Sequence, residues 1–148
     1  MRLLRFKIAA GAALAVGAIY LAVSATSNCS AVSGNGNVNV NIASLLRGHA
    51  KMFCYTDDAG KKLRFVLARG MDGEVRSVFD ACRQCFTFHR GYQVVAGELI
   101  CRVCGNHYAI DRMAEGKASC VPERLPHEGN AQTVKIKTSD LSAGRALF

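Results

Sequence analysis

The sequence lacks the features on which most hydrolases, nucleotide enzymes and nucleic-acid-binding proteins depend. Its 148 residues contain no Ser-His-Asp arrangement, no paired carboxylates suited to glycoside hydrolysis and no glycine-rich phosphate loop. Aromatic residues make up only 7% of the chain and the basic residues are scattered, although the formal net charge is +8. Neither nucleic-acid binding nor these classes of catalysis is therefore expected.

Long amphipathic helices are also missing after residue 25, where short segments with strand character alternate with turns. Val38, Val40 and Ile42 alternate with asparagines, and turns containing Gly or Asp separate the following segments. The pattern predicts a mainly β domain over residues 38–148, a small antiparallel β-sandwich or barrel. The predicted strands are 38–42, 51–56, 63–68, 75–79, 93–96, 108–110 and 133–137.

Residues 1–25 contain no acidic residue. Arg2, Arg5 and Lys7 precede eighteen uncharged residues, Ile8–Ala25, which are predicted to form a hydrophobic helix. The segment is either a cleaved signal peptide or an uncleaved membrane anchor. Both interpretations place the remainder outside the cytoplasm, on the periplasmic side of a bacterial inner membrane, because the basic residues stay inside. The small polar residues 26–37 predict a flexible linker.

The spacing of four cysteines is the strongest signal of chemistry in the chain. Cys82-x2-Cys85 is followed, fifteen residues later, by Cys101-x2-Cys104. Each pair can place two thiolates on one side of a tight turn, and two facing turns form a cage for a metal, as in zinc ribbons. Gly105 suits such a metal-knuckle turn. No histidine directly follows either pair, which disfavours covalently attached haem.

Three further cysteines and one histidine leave alternatives open. Cys120 is a candidate fifth ligand or a thiol beside the site, but a Cys54–Cys120 disulfide is also compatible with the sequence. Cys54 can equally be a buried apolar residue of a strand, and Cys29 lies in the predicted linker. His107, three residues after Cys104, is a further candidate ligand. The two Cys-x2-Cys pairs can instead form disulfides or support thiol–disulfide exchange.

Beyond the cysteine spacing, a longer set of motifs resembles the FtrD-like membrane iron–sulfur protein family. The resemblance implies an iron–sulfur site formed by Cys82, Cys85, Cys101 and Cys104, with Cys120 nearby. It also implies electron transfer beside an inner-membrane permease or redox partner, because some members accompany bacterial ferrous-iron permeases. The motifs are Leu63–Ala68, Asp72-Gly73, Val78–Cys85, Gly91-Tyr92, Cys101–Gly105, Ser119–Pro122, Leu125-Pro126, Val134–Ile136 and Ser139–Leu141.

The export signal bears on the cofactor. Two leucines separate Arg2 from Arg5, so no twin-arginine pair is present and export as an unfolded chain is expected. A cluster assembled in the cytoplasm would not survive that passage, whereas a single iron, zinc or copper ion could bind outside. The pairs also resemble Rieske domains in spacing, with cysteine at both histidine positions, which favours a lower reduction potential.

Three functions are consistent with these features. The first is electron transfer or metal handling in bacterial iron acquisition by an exported, membrane-associated protein. The second is a structural zinc site in a domain that binds a partner protein. The third is thiol–disulfide redox activity.

Overall fold

The structure is a computed structural model that describes residues 29–115 and 120–148. The predicted hydrophobic helix over residues 8–25 lies outside the described residues. Within the described part of the chain, no helix is long and apolar enough to cross a membrane.

Ten strands and one short α-helix make up the described domain, together with three single turns of 3-10 helix. The strands are β1 Ser30–Val32, β2 Asn37–Asn41, β3 His49–Thr56, β4 Lys62–Arg69, β5 Val75–Phe79, β6 Tyr92–Val95, β7 Glu98–Cys101, β8 His107–Ala109, β9 Glu128–Gly129 and β10 Thr133–Lys137. The helix, α1, is Thr138–Ala143. The mainly β prediction is therefore correct.

The strands form three sheets, with orders β1-β3-β4-β5, β2-β10-β9 and β6-β7-β8. The predicted strands 93–96 and 108–110 correspond to β6 and β8 of the third sheet, whereas its central strand β7 was not predicted. All strand pairs within the described residues are antiparallel except β1 with β3.

Strand β4 separates two hydrophobic cores because it is buried on both faces. Leu63, Phe65 and Leu67 pack in the core shared with β2 and β10. Val66 and Ala68, which point to the opposite face, pack in the core shared with β6, β7 and β8. This two-sided burial explains why the segment is almost continuously apolar rather than alternating. The second core contains Cys82, Cys101 and Cys120.

The first described residues differ from the predicted flexible linker. Ser30–Val32 pairs in parallel with β3, and Cys29 forms a disulfide with Cys54. The alternative of a Cys54–Cys120 disulfide is therefore wrong, and residues 29–32 belong to the folded domain. The linker was predicted only from the small, polar composition of the segment. Composition reveals neither a three-residue strand nor the partner of a cysteine in a disulfide.

Candidate metal centre

The first cysteine pair follows directly from the end of β5. Beyond Phe79 the chain turns, and the Phe86 N–H donates to the Cys82 carbonyl at 3.0 Å. The Cys85 N–H donates to the Cys82 sulfur at 3.2 Å. The turn therefore presents both sulfurs on one side, as expected for a metal knuckle.

The second pair repeats this arrangement at the end of β7. The Gly105 N–H donates to the Cys101 carbonyl at 3.0 Å. Gly105 has a φ of 73°, in the left-handed region that glycine adopts without strain. Tyr92 of β6 pairs with Cys101 across the sheet, so the third sheet positions this turn.

The segment after residue 120 carries a fifth cysteine into the same place. The Phe79 N–H donates to the Glu123 carbonyl at 2.8 Å, and the Glu123 N–H donates to the Ala81 carbonyl at 3.1 Å. The Tyr92 hydroxyl donates to the Cys120 carbonyl at 2.8 Å. Cys120 is thereby attached both to the first cysteine turn and to the third sheet.

Cys120 lies at the centre of the sulfur group. Its Sγ atom is 3.0 Å from that of Cys82, 3.3 Å from that of Cys85 and 3.3 Å from that of Cys101. The sulfurs of Cys85, Cys101, Cys104 and Cys120 all lie within 4.8 Å of one another and can hold a metal ion. The structure thus gathers all five free cysteines, which we call the sulfur group.

The thiols of this group differ in their tendency to ionise. Burial opposes ionisation of Cys82, but hydrogen bonds from Cys120 and the Cys85 N–H outweigh it and lower the pKa of Cys82. Burial likewise opposes ionisation of Cys101, whose pKa is lowered by backbone N–H groups that include that of Cys104. Burial raises the pKa of Cys85 to about 12 and raises that of Cys120 further. A bound cation is needed for all five to be thiolates together.

Asp80 and Tyr92 support the group, and neither was singled out from the sequence as a site residue. The Asp80 carboxylate accepts the Tyr92 N–H at 2.6 Å and lies 3.1 Å from the Arg64 guanidinium. Burial raises the pKa of Asp80 to about 6 against the effect of these two partners. The sequence does contain a signal for Asp80, because a carboxylate between an apolar strand and the first cysteine is unusual enough to indicate a role at the site.

His107 is not among the residues that approach the sulfur group. Its Nδ1 atom lies 2.8 Å from the carboxylate of Glu98, and its side chain is exposed. His49 instead faces the Arg47 carbonyl at 2.9 Å, and His127 faces the Ser77 hydroxyl at 2.6 Å.

A family model described as "Membrane iron-sulfur containing protein FtrD-like" matches residues 45–148. The chain belongs to this family. The match covers the whole sulfur group, and the resemblance inferred from the motifs is confirmed. Comparison with curated proteins and with solved structures gave no match.

The donor set fits the thiolate-bound metal expected of an FtrD-like protein. A tetrahedral ion with metal–sulfur bonds of about 2.3 Å holds its sulfurs about 3.8 Å apart. The four sulfurs within 4.8 Å need only small side-chain rotations to reach that spacing. An iron–sulfur cluster also takes four cysteine ligands, distributed over two or more iron atoms. The donor set therefore suits either a single thiolate-bound ion or a cluster.

A cavity of about 340 Å³ opens beside the sulfur group. Its lining includes Cys82, Cys85 and Cys101 together with Lys61 and Phe148. Cys104 is exposed on the protein surface. The group is therefore mostly buried but reachable at Cys104 and through this cavity.

Proposed function

We propose that this protein is an exported, membrane-associated iron protein that transfers single electrons to or from an inner-membrane partner in bacterial iron acquisition. One observation carries the proposal. Five free cysteines share one group in a domain that also contains a disulfide. Membership of a membrane iron–sulfur family supports the same conclusion.

The Cys29–Cys54 disulfide supports an extracytoplasmic location, because disulfides form and persist mainly in oxidising compartments. Thiols that lie 3.0–3.3 Å apart would oxidise readily in such a compartment if nothing occupied them. A bound metal protects thiolates by engaging their sulfur lone pairs. The coexistence of one disulfide and five free cysteines is thus what a loaded metal site would produce.

The cysteines of the sulfur group would hold the iron, which when bound supplies a one-electron redox couple. The protein excludes water from most of the site, since Cys82, Cys101 and Cys120 are 2–3% exposed. Backbone N–H groups directed at the Cys82 and Cys101 sulfurs stabilise negative charge there and favour a higher potential. The exposed Cys104 provides the edge nearest to a partner.

Metal analysis and visible absorption of the full-length protein test this proposal. The protein is isolated from bacterial membranes without oxygen and without added metal. We expect iron in stoichiometric amount and a visible absorption band from sulfur-to-iron charge transfer. A colourless protein without iron would contradict the proposal.

A structural zinc site is the second candidate, favoured by the compact spacing of four sulfurs within 4.8 Å. In that case the same preparation contains zinc, shows no visible band and unfolds when a chelator removes the metal. The domain would then act through its surface rather than through redox chemistry.

Thiol–disulfide exchange is the third candidate, favoured by the 3.0 Å approach of the Cys82 and Cys120 sulfurs. Alkylation with iodoacetamide, followed by mass measurement, separates it from metal binding. Exchange predicts reversible disulfides within the sulfur group. The iron proposal predicts that the five cysteines become alkylated once the metal is removed, while Cys29 and Cys54 remain paired.

Location is tested by adding protease to spheroplasts that contain the full-length chain. If residues 26–148 face outward, the protease removes the domain. Protection of the domain, with an outward-facing control protein digested in the same sample, would contradict the proposed location.

A further inference from the structure

Two of the most exposed large apolar side chains lie at one end of the domain. Leu46 is 66% exposed in the loop before β3, and Met71 is 63% exposed in the turn after β4. The loops touch, because the Arg47 guanidinium donates to the Met71 carbonyl at 3.3 Å. The Gly48 N–H donates to the Arg69 carbonyl at 2.8 Å.

The turn between β6 and β7 belongs to the same end. A Cβ placed on Gly97 would lie 3.5 Å from the Gly48 carbonyl oxygen. Val95, two residues earlier, is 46% exposed. We call this surface, formed by Leu46–Gly48, Met71 and Val95–Gly97, the tether end.

Strand β1 runs in the same direction as β3, away from the tether end. In the parallel pair of β1 and β3, Ser30 lies opposite Phe53 and Val32 lies opposite Tyr55. Going backwards from Ser30 therefore leads toward His49, the first residue of β3. The disulfide to Cys54 fixes Cys29 in this position.

The covalent chain cannot hold the tether end far from a membrane that contains residues 8–25. Ala25 is four residues before Cys29, a distance of at most about 14 Å. Ser30, the residue after Cys29, lies opposite Phe53, four residues or about 13 Å from the beginning of β3. The length of chain before Cys29 is therefore comparable with the distance to this end of the sheet.

We infer that the tether end rests on the lipid surface, with Leu46 and Met71 in the interface between headgroups and acyl chains. This inference depends on the proposed anchor over residues 8–25. The exposed Arg47 beside these side chains suits anionic headgroups. The nearby Asp72 is paired with Arg76 at 2.7 Å. The Arg76 charge offsets that of Asp72 and so reduces its repulsion from anionic headgroups.

This orientation directs the sulfur group away from the bilayer. Asp80, which precedes the first cysteine turn, bonds to the Arg64 carbonyl, five residues along β4 from Arg69. Five strand residues span about 17 Å. The sulfur group therefore faces the aqueous side, where a partner's soluble domain can reach it.

A single tryptophan reports on the contact directly, because the sequence contains none. The full-length Met71→Trp variant is reconstituted in nanodiscs of phosphatidylglycerol and phosphatidylcholine, with or without bromine on the acyl chains near the headgroup. Phe88→Trp is the matched control, since Phe88 is equally exposed at 63% but follows the first cysteine turn. Leu46→Trp is a second reporter, in case Met71→Trp disturbs folding.

We expect bromine to reduce the fluorescence of Trp at positions 71 and 46 about twofold or more, as for side chains 5–10 Å into the interface, and to leave position 88 unchanged. Co-elution with nanodiscs without quenching at 71 and 46 overturns the docking and leaves the anchor intact. Co-elution without quenching is the result expected if a protein, rather than lipid, covered the tether end. Equal quenching at 88 overturns the orientation, and absence of the chain from nanodiscs overturns both docking and anchor.

Discussion

The five free cysteines have distinct positions, and these differences set what each can do. Cys82, Cys101 and Cys120 are buried, Cys85 is partly buried and Cys104 is exposed. Cys120 touches three other sulfurs, so its removal alters the site more than the removal of an edge thiol. Four sulfurs suffice for an ion or a cluster, and the fifth therefore either replaces a ligand or tunes the site from beside it.

Replacing the central thiol tests its role as a ligand. We expect Cys120→Ser to lower metal affinity more than tenfold, the lower bound for losing even a group that only supports a ligand. Affinity is measured by competition with a chelator of known strength, and the visible spectrum is recorded alongside. The double variant Cys29→Ser, Cys54→Ser is the control, because it removes two cysteines outside the sulfur group. Unchanged affinity and spectrum in Cys120→Ser would show that this thiol has no part in binding.

The connection between β5 and β6 shows how a backbone element holds the site. Gly91 has a φ of 61°, and a Cβ there would overlap the Asp80 carboxylate. That carboxylate in turn accepts the Tyr92 N–H at 2.6 Å. The close approach of backbone and carboxylate therefore requires glycine at this position.

A matched pair of glycine variants isolates this effect. Gly60 has a φ of 76°, but no atom lies within 4 Å of a Cβ placed there. Gly60→Ala should cost about 1 kcal/mol through backbone strain alone. Gly91→Ala should cost about 1–3 kcal/mol more, because Asp80 must move. The free energies of unfolding in denaturant check this difference, and equal losses in the two variants would contradict it.

Strand β1 has only three residues, and the disulfide fixes the residue that precedes it. The two cysteines are separated by 25 residues in sequence. Closing a loop of this length in the unfolded chain corresponds to about 3.5 kcal/mol. We expect the Cys29→Ser, Cys54→Ser variant to lose about that much stability while keeping its metal spectrum. Loss of the metal spectrum with unchanged stability would show that the disulfide supports the metal site and not the fold.

Sequence patterns predicted most strands because each segment carries its own signal. The alternation of Val38 and Val40 with asparagines indicates one buried face, and the structure places both in the first core. Strands β1, β7 and β9 and helix α1 were not predicted, since segments of two to six residues carry too little periodicity. The Cys29–Cys54 pairing was not predictable either, because seven cysteines allow many connectivities.

The cysteine spacing predicted the site, but which other residues join the four spaced cysteines depends on tertiary structure. The two Cys-x2-Cys turns could be placed on loops from sequence alone. The position of Cys120 depends on hydrogen bonds that join residues 79 and 123, which are far apart in sequence. Asp80 and Tyr92 meet for the same reason, through the turn at Gly91.

At the scale of the whole molecule, β4 divides the domain into a structural core and a core that contains Cys82, Cys101 and Cys120 of the sulfur group. The first core joins β2 and β10 to the main sheet and contains no cysteine of the sulfur group. The second places that group at the end opposite to the loops of Leu46 and Met71. Under the proposed function, this separation would let one end contact the membrane while the other exchanges electrons with a partner.

The central claim, that the sulfur group holds a redox-active iron centre, is tested most directly by electron paramagnetic resonance during a reductive titration. The full-length protein, isolated without oxygen, is titrated with dithionite while its visible absorption and iron content are followed. The account predicts that the paramagnetic signal and the visible band change together with added reducing equivalents, while the iron remains bound. A protein that contains zinc, or one that shows neither an iron signal nor a visible band in any redox state, would contradict it.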